Sequence, residues 1–329
     1  MPLATLSPIP NALPGQRVAL ASSAGPLSYY VDGPTDPGPA HRPRPLLLVH
    51  SVNAAASAYE MRPLYDHFRT RRRVYALDLP GFGFSSRSDR RYTPRLMTDA
   101  VLSMTAQIRH LEGNGADDDG DRRIDAIALS LSAEFLARAA SEAPEAYASL
   151  ALISPTGFDR RERNGAPGSN RGMPWLYRAF TVPLWSRPFY DLLTTRRGVR
   201  YFLQRTWGSK AIDPGLLDYD VLTARDPGAH HAVFDFVSGY LFSNDIHRVY
   251  TALQPPVWLT HGVRGDFTDY RRAKDFAQRK DWTIEQFDTG ALPHFERPAA
   301  FQARYDAFLA RSSDAAPGSA AMARASASP

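Results

Sequence analysis

Short apolar runs alternate along the chain with stretches whose apolar residues recur every three or four positions. Arg17–Ser22 and Leu27–Val31 read as two strands joined through a Ser-Ala-Gly turn. Pro45–His50, with Pro-Leu-Leu-Leu-Val-His, is a continuous apolar run of the kind a strand shows when both faces are covered in a parallel sheet. A segment of small residues follows, then a short helix near Pro63–Phe68, then a second buried strand at Val74–Leu79. Thr93-Pro94 supplies an N-cap and a proline for the first helical position, and Met97, Val101, Met104, Ile108 and Leu111 form one helical stripe. Ile124, Ile127 and Leu129 make another strand that passes directly into a helix carrying Phe135, Leu136, Ala139 and Ala140. Ala148–Ser154, Val257–Thr260 and Thr283–Phe287 complete the strands, and Phe301, Tyr305 and Phe308 mark a last helix. Strands alternating with helices predict an α/β fold, a mostly parallel sheet with helices on both faces.

The alternation breaks between about Gly157 and Asn244. Arg160–Gly172 is polar and glycine-rich, and helical pieces rich in Trp, Tyr and Phe follow, among them Trp175, Trp185 and Trp207. The pattern divides the chain into an N-terminal extension (1–16), a first core part (17–156), an inserted helical cap (157–244), a second core part (245–311) and a disordered Ala/Ser tail (312–329). The aromatics of the insert have three readings. They seal it onto the core, they line an apolar pocket, or those of Trp175–Tyr190 touch a membrane surface as a peripheral contact.

Composition narrows the chemistry. Hydrophobic residues make up 43% of the 329 residues, enough for a sizeable core. No cysteine is present, which excludes disulfides and thiolate metal sites. The net charge is +5, and Lys210, Lys274 and Lys280 are the only lysines among 39 basic residues. The arginines are interleaved with acids along the chain, so no nucleic-acid partner is expected. The first ten residues lack a basic region followed by an apolar core, and no apolar run is long enough to span a bilayer, so a cytoplasmic location is expected. The Asp-rich loop Asn114–Asp121 lacks the spacing and closing Glu of a calcium loop and reads as a solvated turn. The adjacent His230 and His231 face two directions on a helix, so no metal site is expected of them.

The chemistry-bearing stretch is the one where strand becomes helix. Ser130 sits at that bend, with the small residues Ala128 and Ser132 two positions to either side. A bend this abrupt holds its central residue in a strained conformation and lifts its hydroxyl to a helix N-terminus, where N–H groups favour developing negative charge. This is the logic of a nucleophile elbow, written here Ala-x-Ser-x-Ser. The same residues also permit a buried strand–helix turn with an incidental serine. Ser132 is the rival nucleophile.

From Arg17 to Arg311 the chain resembles the alpha/beta-hydrolase fold family. The features that carry the resemblance lie in order: His50-Ser-Val-Asn after a buried strand, Asp78-Leu-Pro-Gly-Phe-Gly-Phe-Ser85 after the next, Ser130 at the elbow, an insert after the following strand, Gly262 to Asp266 after the next-to-last strand, and Gly290-Ala-Leu-Pro-His-Phe-Glu-Arg-Pro298 near the end. The resemblance implies a cofactor-free hydrolase of an ester or related acyl bond in an apolar small molecule. Ser130 would be the nucleophile, His294 the base, and Asp266 the acid that orients it, with Asp269 and Asp78 as rival acids. The N–H groups of Val52 and Leu131 would hold the oxyanion, and Asn53, Trp175 and Trp185 would contact substrate. Relatives carry the histidine directly after the glycine of the last loop, and this chain has Ala291 there. The resemblance therefore also implies a second possibility, a catalytically altered or inactive binding protein on the same fold. His50 and His261, which end strands, are expected to pack or orient loops.

Overall fold

The computed structural model describes residues 9–35, 43–113, 123–265 and 269–314. Its eight strands are β1 (Gln16–Leu20), β2 (Leu27–Asp32), β3 (Leu46–Val49), β4 (Val74–Asp78), β5 (Ile124–Leu129), β6 (Tyr147–Ile153), β7 (Val257–Gly262) and β8 (Trp282–Phe287). They form one sheet in the order β1-β2-β4-β3-β5-β6-β7-β8. β1, β2 and β4 pair antiparallel, and every other pairing is parallel. The expected strands are all present, with ends displaced by a residue or two. The Asp-rich loop and most of the 312–329 tail lie outside the described residues.

Helices cover both faces. α1 (Arg62–Phe68) and α11 (Pro298–Asp314) lie on one side, and α2 (Pro94–Glu112) and α3 (Ser132–Glu142) on the other. Successive strand residues point to opposite faces. Leu47, Val49, Tyr75, Leu77, Ala126 and Ala128 therefore pack in one core layer, and Leu46, Leu48, Val74, Ala76, Ile127 and Leu129 in the other. This double burial is why the parallel strands read as unbroken apolar runs. α2 starts where Thr93-Pro94 predicts, with the Thr93 hydroxyl accepting from the Leu96 N–H at 3.2 Å.

Between β6 and β7 the chain runs through six helices: α4 (Pro174–Phe180), α5 (Pro183–Leu193), α6 (Arg196–Trp207), α7 (Pro214–Thr223), α8 (His230–Val237) and α9 (Ile246–Thr251). α10 (Pro293–Glu296) is a single turn before α11, which runs to Asp314, a little beyond the expected end of the core. Among the described residues no helix is long and apolar enough to cross a membrane.

Candidate active site

The parallel strands all point their C-terminal ends to one edge, where an α/β sheet gathers its ligand-binding groups. Ser130 stands at that edge after β5. Its φ is +57°, a left-handed value that costs a non-glycine residue about 1–3 kcal/mol and persists only where the surroundings enforce it. They do so here: Ala133 N–H donates to Ser130 O at 3.1 Å, and Ser130 N–H donates to Ile153 O at 2.8 Å. The sharp bend expected from the small flanking residues is therefore present. The Ser130 hydroxyl is half-buried and makes no hydrogen bond among the described residues. The rival Ser132 is fully buried, and its hydroxyl donates to His50 O at 2.5 Å, tying the start of α3 to the end of β3.

Val52 and Leu131 follow positions paired across adjacent strands. Val49 pairs with Ala128, and each N–H lies three residues beyond. Neither N–H donates a hydrogen bond among the described residues. The loop carrying Val52 is fixed from below. Leu79 N–H donates to His50 Nε2 at 3.0 Å, so His50 carries its proton on Nδ1 and donates to Ser51 O at 2.6 Å. Burial pushes His50 down to about 4, so the ring stays neutral and structural, as expected.

The group that holds this loop is Glu60, which the sequence reading missed. Its carboxylate accepts from Ser51 N–H at 2.7 Å, from the Ser51 hydroxyl at 2.9 Å and from Asn53 Nδ2 at 2.7 Å. Burial pushes it up to about 7, against those hydrogen bonds, which hold it down. Asn53, expected to face substrate, donates its amide to Glu60 and Ser51, and its Oδ1 accepts from Ala55 N–H at 2.7 Å. Asp220 on α7 is also buried. Desolvation first and the Glu60 charge second raise its carboxyl well above the usual range, and its Oδ1 has no partner. A lone Glu between Tyr59 and Met61 in an apolar stretch was the available signal for the first. Nothing local marked the second.

The last loop departs from the family pattern in a defined way. Ala291 is pinned at both backbone groups. Its N–H donates to Thr206 O at 2.9 Å, and its O accepts from the Ser154 hydroxyl at 2.8 Å. Ser154, at the end of β6, is the other non-glycine residue with positive φ among those described, at +46°. A Cβ on Gly290 would stand 2.4 Å from Trp207 O, so the end of α6 lies directly on this loop. His294 follows on α10, which Pro293 begins. The ring is fully buried against Phe295 and Phe301. Its Nε2 lies 2.8 Å from Glu60 O, and a carbonyl only accepts, so Nε2 carries the proton. Its Nδ1 has no partner, and burial pushes the ring down to about 4. No hydrogen bond joins His294 to Ser130.

The remaining expected residues are distributed as follows. Asp266 lies outside the described residues. Asp269 is exposed and pairs with Arg271 at 3.5 Å. Asp78 is buried and accepts from Ala58 N–H at 2.9 Å and Phe84 N–H at 3.0 Å, a loop-forming role. Gly83 must lack a side chain there, since a Cβ would meet the Asp78 carboxyl at 2.0 Å. His261 Nδ1 donates to Gly262 O at 2.8 Å, and the ring stacks on Tyr270 with ring centres 3.9 Å apart. Trp175 and Trp185, expected at the substrate, are 69% and 40% exposed. A cavity of about 150 Å³ beside α4, α5 and α8 is lined by Phe180, Arg187, His230 and Phe234, with Ser130 not among its lining residues.

The alpha/beta hydrolase family model matches residues 46–304. The chain therefore belongs to the alpha/beta hydrolase family. It is similar in structure to a probable hydrolytic enzyme from Pseudomonas aeruginosa PAO1, with 20% identity, 92% of this chain and 96% of that one covered, and a TM-score of 0.65. A thermophilic esterase from Thermogutta terrifontis is similar at 17% identity, covering 91% and 99% of the two chains, with a TM-score of 0.64. The CarC serine hydrolase involved in carbazole degradation is similar at 17% identity, covering 90% and 99%, with a TM-score of 0.63. Identities this low speak for the fold alone. Comparison with curated proteins finds no match.

Proposed function

We propose that this chain binds an apolar ester or related acyl compound at Ser130 and turns it over slowly, as a catalytically altered hydrolase without a histidine base beside the serine. Ser130 Oγ forms a bond to the acyl carbonyl carbon, and its proton passes through solvent water at this half-buried hydroxyl to the alkoxide oxygen as the acyl–oxygen bond breaks. The N–H groups of Val52 and Leu131 donate to the oxyanion, the alcohol leaves, and water then adds to the acyl-serine to release the carboxylic acid and restore the Ser130 hydroxyl. No cofactor is needed for this chemistry. The helices between β6 and β7 serve as the cap over the substrate.

The observation that supports this reading is a Ser130 held at a left-handed backbone φ, its hydroxyl unbonded among the described residues, together with Ala291 at the position where relatives carry histidine. Losing the base of a serine triad costs on the order of 10⁶-fold in turnover, while an oxyanion hole and binding alone retain roughly 10³–10⁴-fold over water. Slow acyl transfer is what such a remnant supports.

A second reading keeps a full triad of Ser130, His294 and Asp266. The unpartnered Nδ1 of His294 favours it, because a ring nitrogen without a partner is free to accept a proton. It requires the ring to leave Glu60 O and swing out of the core. Turnover of short aryl esters and labelling by a fluorophosphonate, measured on wild type, Ser130→Ala and His294→Phe, separate the two. The proposal expects slow turnover that Ser130→Ala abolishes and His294→Phe preserves. Loss in both variants would establish the triad, and equal activity in all three would remove Ser130 from the chemistry.

A further inference from the structure

Surface helices bury their apolar stripe and expose their polar one. α5 does the reverse. Its buried residues are Ser186 and Tyr190, with the Tyr190 hydroxyl donating to Ala224 O at 2.9 Å. Outward it presents Leu184, 88% exposed, and Leu192, 66% exposed, together with Trp185 and Phe189. α4 buries Phe180 and packs Leu176 against the core, yet leaves Trp175 exposed. The exposed Trp185 and Phe189 rings lie side by side, 6.1 Å apart, over the buried Phe180 ring, which is 5.3 Å from Trp185. Of the twelve large hydrophobic side chains exposed among the described residues, nine lie between Met173 and Phe202. Singly scattered apolar residues need no explanation, but a contiguous cluster of this kind marks a surface that docks.

Charge says what docks. Six arginines from Arg178 to Arg205, and Lys210, stand among residues 173–210 against one acid, Asp191. That stretch therefore carries a formal +6, whereas the whole chain carries +5, so the rest of the molecule is close to neutral. Arg187 lies on α5 itself, and Arg196 and Arg197 open α6 directly after it. Arg196 is held by Asp218 on α7. A second copy of this chain would bring one positive face against another, which disfavours self-association through it. Exposed aromatic and leucine side chains on a segment this rich in arginine fit the boundary of a bilayer whose headgroups are anionic.

We propose that α4, α5 and the start of α6 form a membrane-docking face that sets the protein on an anionic phospholipid surface, with Trp175, Leu184, Trp185 and Leu192 entering the headgroup region. Docking there holds the insert at the lipid while the sheet and Ser130 stay in water. It is independent of whether Ser130 is reactive.

Co-sedimentation with vesicles of phosphatidylcholine, with and without phosphatidylglycerol, tests this. Wild type should pellet with the anionic vesicles at least tenfold more than with the neutral ones. Raising salt to about 1 M, where the Debye length falls to about 3 Å, should weaken that preference. Leu184→Ser with Leu192→Ser should cut partition at least tenfold, and Arg197→Gln with Arg200→Gln should reduce it on anionic vesicles alone. All four side chains are exposed, so the variants should keep the wild-type melting temperature. Wild type remaining in the supernatant with anionic vesicles would overturn the proposal, as would unchanged partition in the leucine pair. A wild-type dimer in solution that the leucine pair converts to monomer would overturn it in favour of self-association.

Discussion

A His294→Phe substitution keeps a ring between Phe295 and Phe301 and removes a titrating group from the core. Burial lowers His294 from 6.5 to about 4. The unfolded chain takes up this proton near pH 6.5, and the folded chain resists it until about pH 4. The wild-type contribution is therefore present above pH 6.5 and is lost as pH falls toward 4. At about 1.36 kcal/mol per unit, the shift makes wild type lose about 3 kcal/mol relative to the Phe variant across that window. His50, lowered to about 4 by the same cause, titrates in both proteins and cancels in the difference. Glu60 carries the opposite sign: burial raises it to about 7, so its contribution is present below pH 4.5 and is lost as pH rises through 7. It too cancels. Urea unfolding of both proteins at pH 7, 5.5 and 4.5 reads the difference directly. Parallel stability curves would refute the reasoning, since they would mean that the ring titrates like one in water and is available to the site.

Two further changes test how the site is held. Ser130→Gly should stabilise the protein by about 1 kcal/mol in urea unfolding while abolishing fluorophosphonate labelling, because glycine adopts the +57° backbone without strain. Gly290→Ala should cost about 1–3 kcal/mol and lower the thermal midpoint, because the new Cβ meets Trp207 O at 2.4 Å and must push the end of α6 off the loop.

The frame of the fold was legible in the sequence where local chemistry decides it. Thr93-Pro94 caps α2, the unbroken run at Leu46–Val49 is a strand covered on both faces, and the small residues around Ser130 accompany the sharp bend. What stayed hidden depends on contacts between distant segments. Glu60 matters because its carboxylate meets Ser51 and its carbonyl meets His294, and Asp220 because α7 folds down beside it. The position of His294 in the last loop was readable, but its hydrogen bond to Glu60 O was not, since α10 and residue 60 are brought together only by the fold. The insert shows the same limit in another form. Periodicity gives α5 an apolar and a polar side, yet only the packing of Tyr190 against Ala224 tells which side turns inward. Trp175 and Trp185, expected at the substrate, stand 69% and 40% exposed.

The central claim is that the serine and its oxyanion donors remain while the imidazole position is vacant of a base at Ala291. The most direct measurement is aryl-ester kcat/KM for Ala291→His against wild type, with Ser130→Ala in the same background as control. A gain of at least about 10²-fold that depends on Ser130 is the result expected, in line with what a positioned general base contributes. No gain from Ala291→His, together with a wild-type activity that His294→Phe abolishes, would contradict the account.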